Sequence, residues 1–269
     1  MYGAIIGDMI GVPYEFLHDE ILPNFELFTD YTRFSDDSIM TVAIADAMLR
    51  IKQKKLKEDD ACKVITERMQ YFGRQYPGVG YGTSFGDWLL KDEPKPYNSW
   101  GNGSAMRVSS VGWLFDTLEE TEEKAEWSAK VTHNHPEGIK GAQSVAAAIF
   151  LARNGYSNEE IKKYISTKYG YDLNRTCKEI IKNGYKFEVS CQKSVPEAII
   201  CFLEGTDYES TIRNAIFLDG DSDTQAAIAG SIAEAFYGIP DSFKEEARKR
   251  LKPDLLEVID KFYDYKSFL

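Results

Sequence analysis

Residues 39–51 read IMTVAIADAMLRI, a run that is apolar almost all round and rich in alanine. A helix without a broad polar face belongs in a domain interior, so this run predicts a buried α-helix. A similar buried helix is predicted over 138–154, and Gly155 follows it as a helix end. Apolar spacing and end signals predict further helices at 59–76, 158–169, 194–203, 209–217, 224–237 and 253–263.

Strand patterns are nearly absent from the chain, and residues 187–190 are the best weak case. Pro196 and Pro253 fall early in their predicted helices, where proline is tolerated. Residues 76–107 hold many glycines and prolines and are predicted to be a long irregular stretch, which in a compact domain is usually functional. No linker or repeat marks a boundary. We therefore predict one compact all-α domain over residues 1–269.

The chain of 269 residues has 43 acidic and 32 basic side chains and a formal net charge of −11. This charge argues against a protein that binds nucleic acid or an anionic membrane by neutralising phosphates. A phosphate-containing substrate stays possible, because a bound metal ion can reverse the local charge. No signal peptide and no apolar run of about 18 residues is visible, so the cytoplasm is the expected compartment.

Acidic residues cluster at two places, Ser35-Asp36-Asp37-Ser38 and Asp219-Gly220-Asp221-Ser222-Asp223-Thr224, each ahead of a predicted buried helix. Helix capping explains one acid or hydroxyl at such a position. It does not explain adjacent carboxylates, which repel one another unless a cation offsets their charge. Carboxylate and hydroxyl oxygens suit hard cations such as Mg²⁺, Mn²⁺ or Ca²⁺. The pair of clusters therefore favours a metal site over capping alone.

Three further segments have both an ordinary and a functional interpretation. Glu15 is either a surface acid or a general acid or base beside a metal site. Residues 99–107, SWGNGSAMR, form a plain turn or a cradle for phosphate, although the Lys-Ser or Lys-Thr of a P-loop is missing. For His133 and His135, hydrogen bonding or ligand contact is favoured over a metal-binding pair.

Taken in order along the chain, these segments resemble the ADP-ribosylglycohydrolase family, which includes dinitrogenase-reductase-activating glycohydrolase. The matching segments are GAIIGDMIGVPYEF at 3–16, SDDSIM at 35–40, GYG at 80–82, GNGSAMR at 101–107, TH at 132–133 and DGDSDTQAAIAG at 219–230. The chain departs from the family at Ser35 and Ser38, where threonines are frequent. A serine hydroxyl can still bind a hard cation.

The resemblance implies an orthogonal all-α fold with two divalent cations, Mg²⁺ or Mn²⁺, in a central cleft. It implies a hydrolase that cleaves the N- or O-glycosidic bond between ADP-ribose and a modified target, most often a protein. Glu15 matches a mobile glutamate and is expected to be catalytic together with Asp37. The expected metal ligands are Ser35, Asp36, Asp37, Asp221, Asp223 and Thr224. The expected substrate contacts are Gly80, Tyr81, Gly101, Asn102, Gly103, Ser104, Met106 and His133.

Other functions stay open at this point. The chain could be a dinuclear metal hydrolase of free ADP-ribose derivatives or nucleotides, a non-catalytic ADP-ribose-binding module, or a purely structural helical protein. The linkage that is cleaved depends on contacts to the leaving group, which we expect in the segments 17–33 and 76–100. A monomer without membrane or general nucleic-acid binding is the expectation.

Overall fold

The computed structural model describes residues 1–17 and 24–267, and fifteen α-helices lie within them. The first eight are α1 (Tyr2–Gly11), α2 (Asp36–Lys54), α3 (Glu58–Gln75), α4 (Thr83–Leu90), α5 (Gly103–Met106), α6 (Ser109–Leu114), α7 (Leu118–Lys130) and α8 (Pro136–Arg153). The others are α9 (Asn158–Tyr169), α10 (Cys177–Lys182), α11 (Cys191–Glu204), α12 (Tyr208–Phe217), α13 (Ser222–Tyr237), α14 (Asp241–Arg250) and α15 (Pro253–Lys266). A 3₁₀ turn, Val12–Tyr14, follows α1.

The prediction of an all-α fold is confirmed. Within the described ranges, β-type pairing is limited to one antiparallel bridge between Gly101 and Ser190. The weak strand candidate at 187–190 is therefore a loop, and its last residue, Ser190, pairs with Gly101. We call residues 101–107 the Gly101 segment. In the same ranges, every helix is too short or too polar to cross a bilayer.

Helix α2 starts earlier than the sequence predicts. Ser35 is its N-cap, and the Ser35 side chain accepts a hydrogen bond from the Asp37 N–H. Asp36, Asp37 and Ser38 thus lie in the first turn instead of ahead of the helix. The same correction applies to α13, which begins at Ser222, so that Asp223 lies in its first turn. Both acidic clusters occupy the positive end of a helix dipole, where carboxylates are favoured.

Two further expectations are wrong. The stretch 76–107 is not irregular throughout, because α4 interrupts it and buries Phe85, Trp88 and Leu89. Leu89 reaches α3 at Gly73, where the missing side chain makes room for it. Pro196 is not early in its helix, because α11 begins at Cys191 and places this proline in the helix interior. Its missing N–H removes one backbone bond there.

Helix α13 lies at the centre of the molecule and packs against α1, α8, α11 and α12. Its contact with α1 is made by backbone. A methyl group on Gly3, Gly7 or Gly11 would lie 2.2, 2.1 or 2.4 Å from an atom of Gly230, Ala226 or Asp223, respectively. The order of these contacts shows that the two helices run antiparallel. The end of α1 therefore lies beside the acidic start of α13, far away in the sequence.

Candidate functional site

A cleft of about 990 Å³ lies where α2 and α13 begin. The turn after α1 contributes Glu15 and Phe16 to its wall, and the loop before α11 contributes Phe187 and Val189. Three stretches of the loop-rich region, 78–80, 82–85 and 97–103, form much of the remaining wall. Further lining residues are Val12, Arg33, Phe34, Met106, Arg107 and His133. The cleft thus collects segments from both ends of the chain, as the two separated acidic clusters require.

Asp8, on α1, ties this helix to the start of α2. It is completely buried, and its carboxylate accepts hydrogen bonds from the Ser35 N–H at 3.0 Å and the Ser35 hydroxyl at 2.6 Å. The Ser38 N–H, at 3.1 Å, and the Ser38 hydroxyl also donate to it. Sequence analysis did not identify Asp8 as a site residue. The available signal was an isolated acid in an otherwise apolar helix.

The two acidic clusters meet at the base of the cleft. Carboxylate oxygens of Asp8, Asp37 and Asp223 lie within 4.8 Å of one another, as do those of Glu15, Asp221 and Asp223. Asp223 belongs to both groups. We call the set Asp8, Glu15, Asp36, Asp37, Asp221 and Asp223 the acidic centre.

Two neutral side chains join the walls of the acidic centre. The Thr224 hydroxyl donates to Asp37 Oδ2 at 3.2 Å, although the two residues are 187 positions apart. The Asn102 amide donates to Asp221 Oδ2 at 2.7 Å. These bonds connect the start of α13 to α2 on one side and to the Gly101 segment on the other.

Burial, followed by the charge of Asp223, raises the pKa of Asp8 to about 7 and that of Asp36 to about 8. The same causes raise the pKa of Asp37 and Asp221 well above the ordinary value. Burial also raises the pKa of Asp223 itself. Crowded carboxylates of this kind need either protons or a cation to offset their charge.

Glu15 lies at the edge of the acidic centre and is half-buried. Burial and then the charges of Asp223 and Asp8 raise the pKa of Glu15 to about 7, while Arg33 lowers it. A group with this pKa can both give and take a proton near neutral pH, which general acid–base catalysis requires.

The donor set of the acidic centre fits a hard divalent cation. All its ligand atoms are oxygens, which Mg²⁺, Mn²⁺ and Ca²⁺ prefer. Asp37 Oδ1 is buried and has no hydrogen-bond partner among the described residues. A buried carboxylate oxygen without a partner costs free energy, and a bound cation would remove that cost.

Of the two neighbouring residues Gly80 and Tyr81, only Gly80 lines the cleft. Gly80 has φ +121°, and a methyl group there would lie 2.5 Å from Asp36 Oδ1, so only glycine leaves room for this carboxylate. The carbonyl of Val79 accepts a hydrogen bond from the Asp36 N–H at 3.0 Å. Tyr81 is half-buried, lies outside the cleft lining and packs on Phe85, with ring centroids 5.6 Å apart.

The Gly101 segment forms the opposite wall. Gly101, Asn102, Gly103 and Met106 line the cleft. Ser104 does not, because its buried hydroxyl donates to the Gly138 carbonyl at 2.7 Å. Its side chain therefore connects this wall to α8.

His133 and His135 do not form a pair. His133 lines the cleft and is buried, and its Nδ1 lies 2.7 Å from the Thr132 hydroxyl. Burial and then the charge of Arg107 lower its pKa well below the ordinary value, so the ring is neutral. His135 caps α8 by accepting a hydrogen bond from the Glu137 N–H at 3.1 Å.

Sequence analysis also missed several other side chains of the cleft. Arg107 lines it, is buried and donates to the Ser128 carbonyl and the Thr132 hydroxyl. Phe16, Trp100 and Phe187 are exposed aromatic residues at its rim. Of the segments expected to contact a leaving group, 76–100 contributes to the lining; within 17–33, Arg33 does so, and residues 18–23 lie outside the described ranges.

Known proteins resemble the chain over most of its length. The sequence model of the ADP-ribosylglycohydrolase family matches residues 1–267. ADP-ribosylhydrolase ARH3 of Homo sapiens is 27% identical to the chain, over 94% of the chain and 89% of the relative. ADP-ribosylarginine hydrolase Tri1 of Pseudomonas putida (strain GB-1) is 22% identical, over 89% and 70%.

A solved structure described as an ADP-ribosylglycohydrolase-related protein complex has the same fold. It superimposes with a TM-score of 0.73 over 98% of this chain and 95% of its own, at 20% sequence identity. The family match covers the helices that carry the acidic centre and the walls of the cleft. The chain belongs to the ADP-ribosylglycohydrolase family and is a hydrolase of that family.

Proposed function

We propose that the protein hydrolyses the glycosidic bond between ADP-ribose and a modified target, most often a protein, and that it uses two divalent cations, Mg²⁺ or Mn²⁺. The observation that carries this proposal is that two sets of three acids, Asp8, Asp37 and Asp223 and also Glu15, Asp221 and Asp223, share Asp223 at the base of the cleft. The names of the relatives, ADP-ribosylhydrolase and ADP-ribosylarginine hydrolase, support the substrate class. A cleft of about 990 Å³ has the volume that a ligand of nucleotide size needs.

The cation ligands proposed from the sequence are Ser35, Asp36, Asp37, Asp221, Asp223 and Thr224. Asp8 joins them either as a ligand or, through its bonds to Ser35 and Ser38, as the group that orients them. Bound divalent cations supply positive charge that orients oxygen ligands and lowers the pKa of water.

Two side chains of the acidic centre, Glu15 and Asp37, are proposed to transfer protons. In the overall reaction, water adds to the anomeric carbon of the ribose while the bond to the target breaks, and the departing atom gains a proton. The transition state of such cleavages resembles an oxocarbenium ion, whose positive charge carboxylates stabilise. We assign proton transfer to Glu15, because its pKa is raised to about 7, and to Asp37, which has Asp223 as a neighbour in common with Glu15.

The Gly101 segment is proposed to bind the diphosphate and ribose. Gly101 and Gly103 leave the backbone open toward the cleft, and a methyl group on Gly103 would lie 3.2 Å from His133 Nε2. His133 is a neutral hydrogen-bonding group at this wall. Gly80 is proposed to shape the cleft by leaving room for Asp36.

The test is an activity panel with Mg²⁺, with Mn²⁺ and with EDTA. The substrates are peptides that carry ADP-ribose on arginine, serine or an ester-linked side chain, ADP-ribosylated nucleic acid, and free ADP-ribose derivatives and nucleotides. We expect release of ADP-ribose from at least one linkage in the presence of a cation and none in EDTA. Asp223→Asn removes the acid shared by both groups, and Asp46→Asn, on α2 but outside the cleft, is the matched control.

The same panel separates the alternatives. Full turnover in EDTA would contradict metal dependence. Turnover of free nucleotides or ADP-ribose derivatives alone would assign a different substrate class. Tight binding of ADP-ribose without turnover of any linkage would make the protein a binding module.

A further inference from the structure

Phe16 and Phe187 meet across the mouth of the cleft. Their rings stack with centroids 6.0 Å apart and an interplanar angle of 28°. Both rings line the cleft, and both are largely exposed, Phe16 by 70% and Phe187 by 43%. Large apolar side chains that stay exposed beside a site usually serve a contact or a ligand there. The pair joins two segments that are far apart in the sequence.

The segment that carries Phe187 is fixed to the acidic centre. The Val189 carbonyl accepts a hydrogen bond from the Asn102 N–H at 2.7 Å, and the Asn102 side chain donates to Asp221 at 2.7 Å. The Tyr185 hydroxyl accepts a hydrogen bond from Gln225, on α13, at 2.7 Å. The loop is therefore attached to neighbouring elements on both sides of Phe187, at Tyr185 and at Val189.

Phe16 directly follows Glu15, whose carboxylate oxygen lies within 4.8 Å of oxygens of Asp221 and Asp223. Glu15 lies in the turn that follows α1, so the position of its carboxylate depends on how this turn is held. On its other side the segment is held by Tyr14, which packs on Phe25 with ring centroids 4.7 Å apart. The contact between Phe16 and Phe187 is a second, uncharged attachment of this segment, one residue away from Glu15.

We propose that Phe16 and Phe187 are positioning residues, and that their contact across the cleft mouth holds Glu15 against Asp221 and Asp223. Its consequence for turnover rests on the proposed function, in which Glu15 transfers a proton. Its consequence for cation binding rests only on the part of that proposal that places a cation at the acidic centre, where Glu15 forms a possible ligand group with Asp221 and Asp223.

The first test measures Mn²⁺ affinity by titration calorimetry and needs no substrate. We expect Phe187→Ala to weaken Mn²⁺ binding, and Phe187→Tyr, which keeps the ring, to restore it. If Phe187 acts through Glu15, then Phe187→Ala has no further effect in a chain that already carries Glu15→Gln. Tyr156→Ala is the matched control, because Tyr156 is 44% exposed and lies outside the cleft.

The second test measures kcat and KM on a short ADP-ribosylated peptide with the linkage that the unmodified protein cleaves. Since a misplacement of about 1 Å can cost about 100-fold in rate, Phe187→Ala should lower kcat at least about tenfold and leave KM nearly unchanged. Phe16→Ala should do the same, and the two changes together should cost no more than one alone.

These results separate the inference from the proposed function. Loss of Mn²⁺ affinity in a chain that cleaves no linkage would support the positioning contact and contradict the proposed function. Normal Mn²⁺ affinity and normal kcat in Phe187→Ala would overturn the inference. If KM for a whole ADP-ribosylated protein rose in that variant while both stayed normal, the pair would be a docking surface for the target instead. Absence of Mn²⁺ binding by the unmodified chain would contradict both.

Discussion

The Asp8 carboxylate accepts hydrogen bonds from both the backbone N–H and the hydroxyl of Ser35, at 3.0 and 2.6 Å, although the residues are 27 positions apart. Ser35 is also the N-cap of α2, since its side chain accepts a bond from the Asp37 N–H. One buried acid thus sets the position of the residue that starts the helix carrying Asp36 and Asp37.

We therefore predict that Asp8→Asn weakens binding of Mg²⁺ or Mn²⁺ by about 10–100-fold, the usual effect of removing a group that orients metal ligands. The amide places a donor against the donors of Ser35 and Ser38, so these residues and the start of α2 must shift. Titration calorimetry gives the affinity. Asp46→Asn, in α2 outside the cleft, serves as the reference, and an unchanged affinity in Asp8→Asn would contradict the prediction.

A second prediction concerns Asp223, the acid common to both carboxylate groups. Asp37→Asn and Asp221→Asn each remove an acid from one group only, so each should weaken one cation site more than the other. Asp223→Asn should weaken both. Mn²⁺ titration followed by electron paramagnetic resonance counts the bound ions. Equal losses in all three variants would show that the groups do not correspond to separate sites.

A third prediction is a pH dependence of the metal-free protein. Asp8 and Asp36 have an ordinary pKa of 3.8, and in the folded chain burial and Asp223 raise the pKa of each, to about 7 and about 8. The folded state therefore binds more protons than the unfolded state between about pH 4 and pH 8. Because of this, the free energy of unfolding falls as the pH rises through that window.

The measurement is Tm in EDTA from pH 5 to pH 8. We expect Tm to fall across this range, and Mg²⁺ or Mn²⁺ at pH 8 to reverse the fall because the cation takes the place of the protons. The variant Asp36→Asn, which lacks one of the titrating groups, should show a weaker slope. A Tm that rises with pH in EDTA would contradict the prediction.

The fourth prediction separates backbone strain from crowding at Gly80. Gly80 and Gly78 both have positive φ, +121° and +76°, but only at Gly80 would a methyl group meet a neighbour, Asp36 Oδ1 at 2.5 Å. Alanine at either position should cost about 1–3 kcal/mol in strain. Only Gly80→Ala should also displace Asp36 and lower cation affinity. Chemical denaturation and Mn²⁺ titration of both variants provide the check, and an equal loss of affinity would assign the effect to strain.

Local sequence signals were sufficient to predict a helix end where the capping residues at that end determine it. Helix α9 has the predicted bounds, because Ser157 and Glu160 form a capping box and Gly170 has φ +70°. Helix α4 was missed because Gly82 and Gly86 favour a loop, and packing of Trp88 and Leu89 decides otherwise. The polar helices α7 and α14 give a weak apolar pattern and were missed for that reason.

The residues of the candidate site could likewise be predicted from the sequence only in part. The carboxylates of the two motifs were identifiable because adjacent acids ahead of an apolar helix are unusual. The contribution of Asp8 was not, since it depends on Ser35 and Ser38 lying beside it in space. The contact between Phe16 and Phe187 depends entirely on the folded chain, because no local pattern connects these residues.

The glycine-lined contact between α1 and α13 has a consequence for biosynthesis. A chain leaves the ribosome from its N-terminus, so α1 appears long before α13 is made. Until α13 follows, Gly3, Gly7 and Gly11 have no backbone to pack on, and Asp223 is not beside Asp8 and Asp37. Chains stalled before α13 therefore lack the shared acid and leave an apolar helix uncovered. Exposed apolar surface of this kind is what makes unfinished chains prone to aggregation.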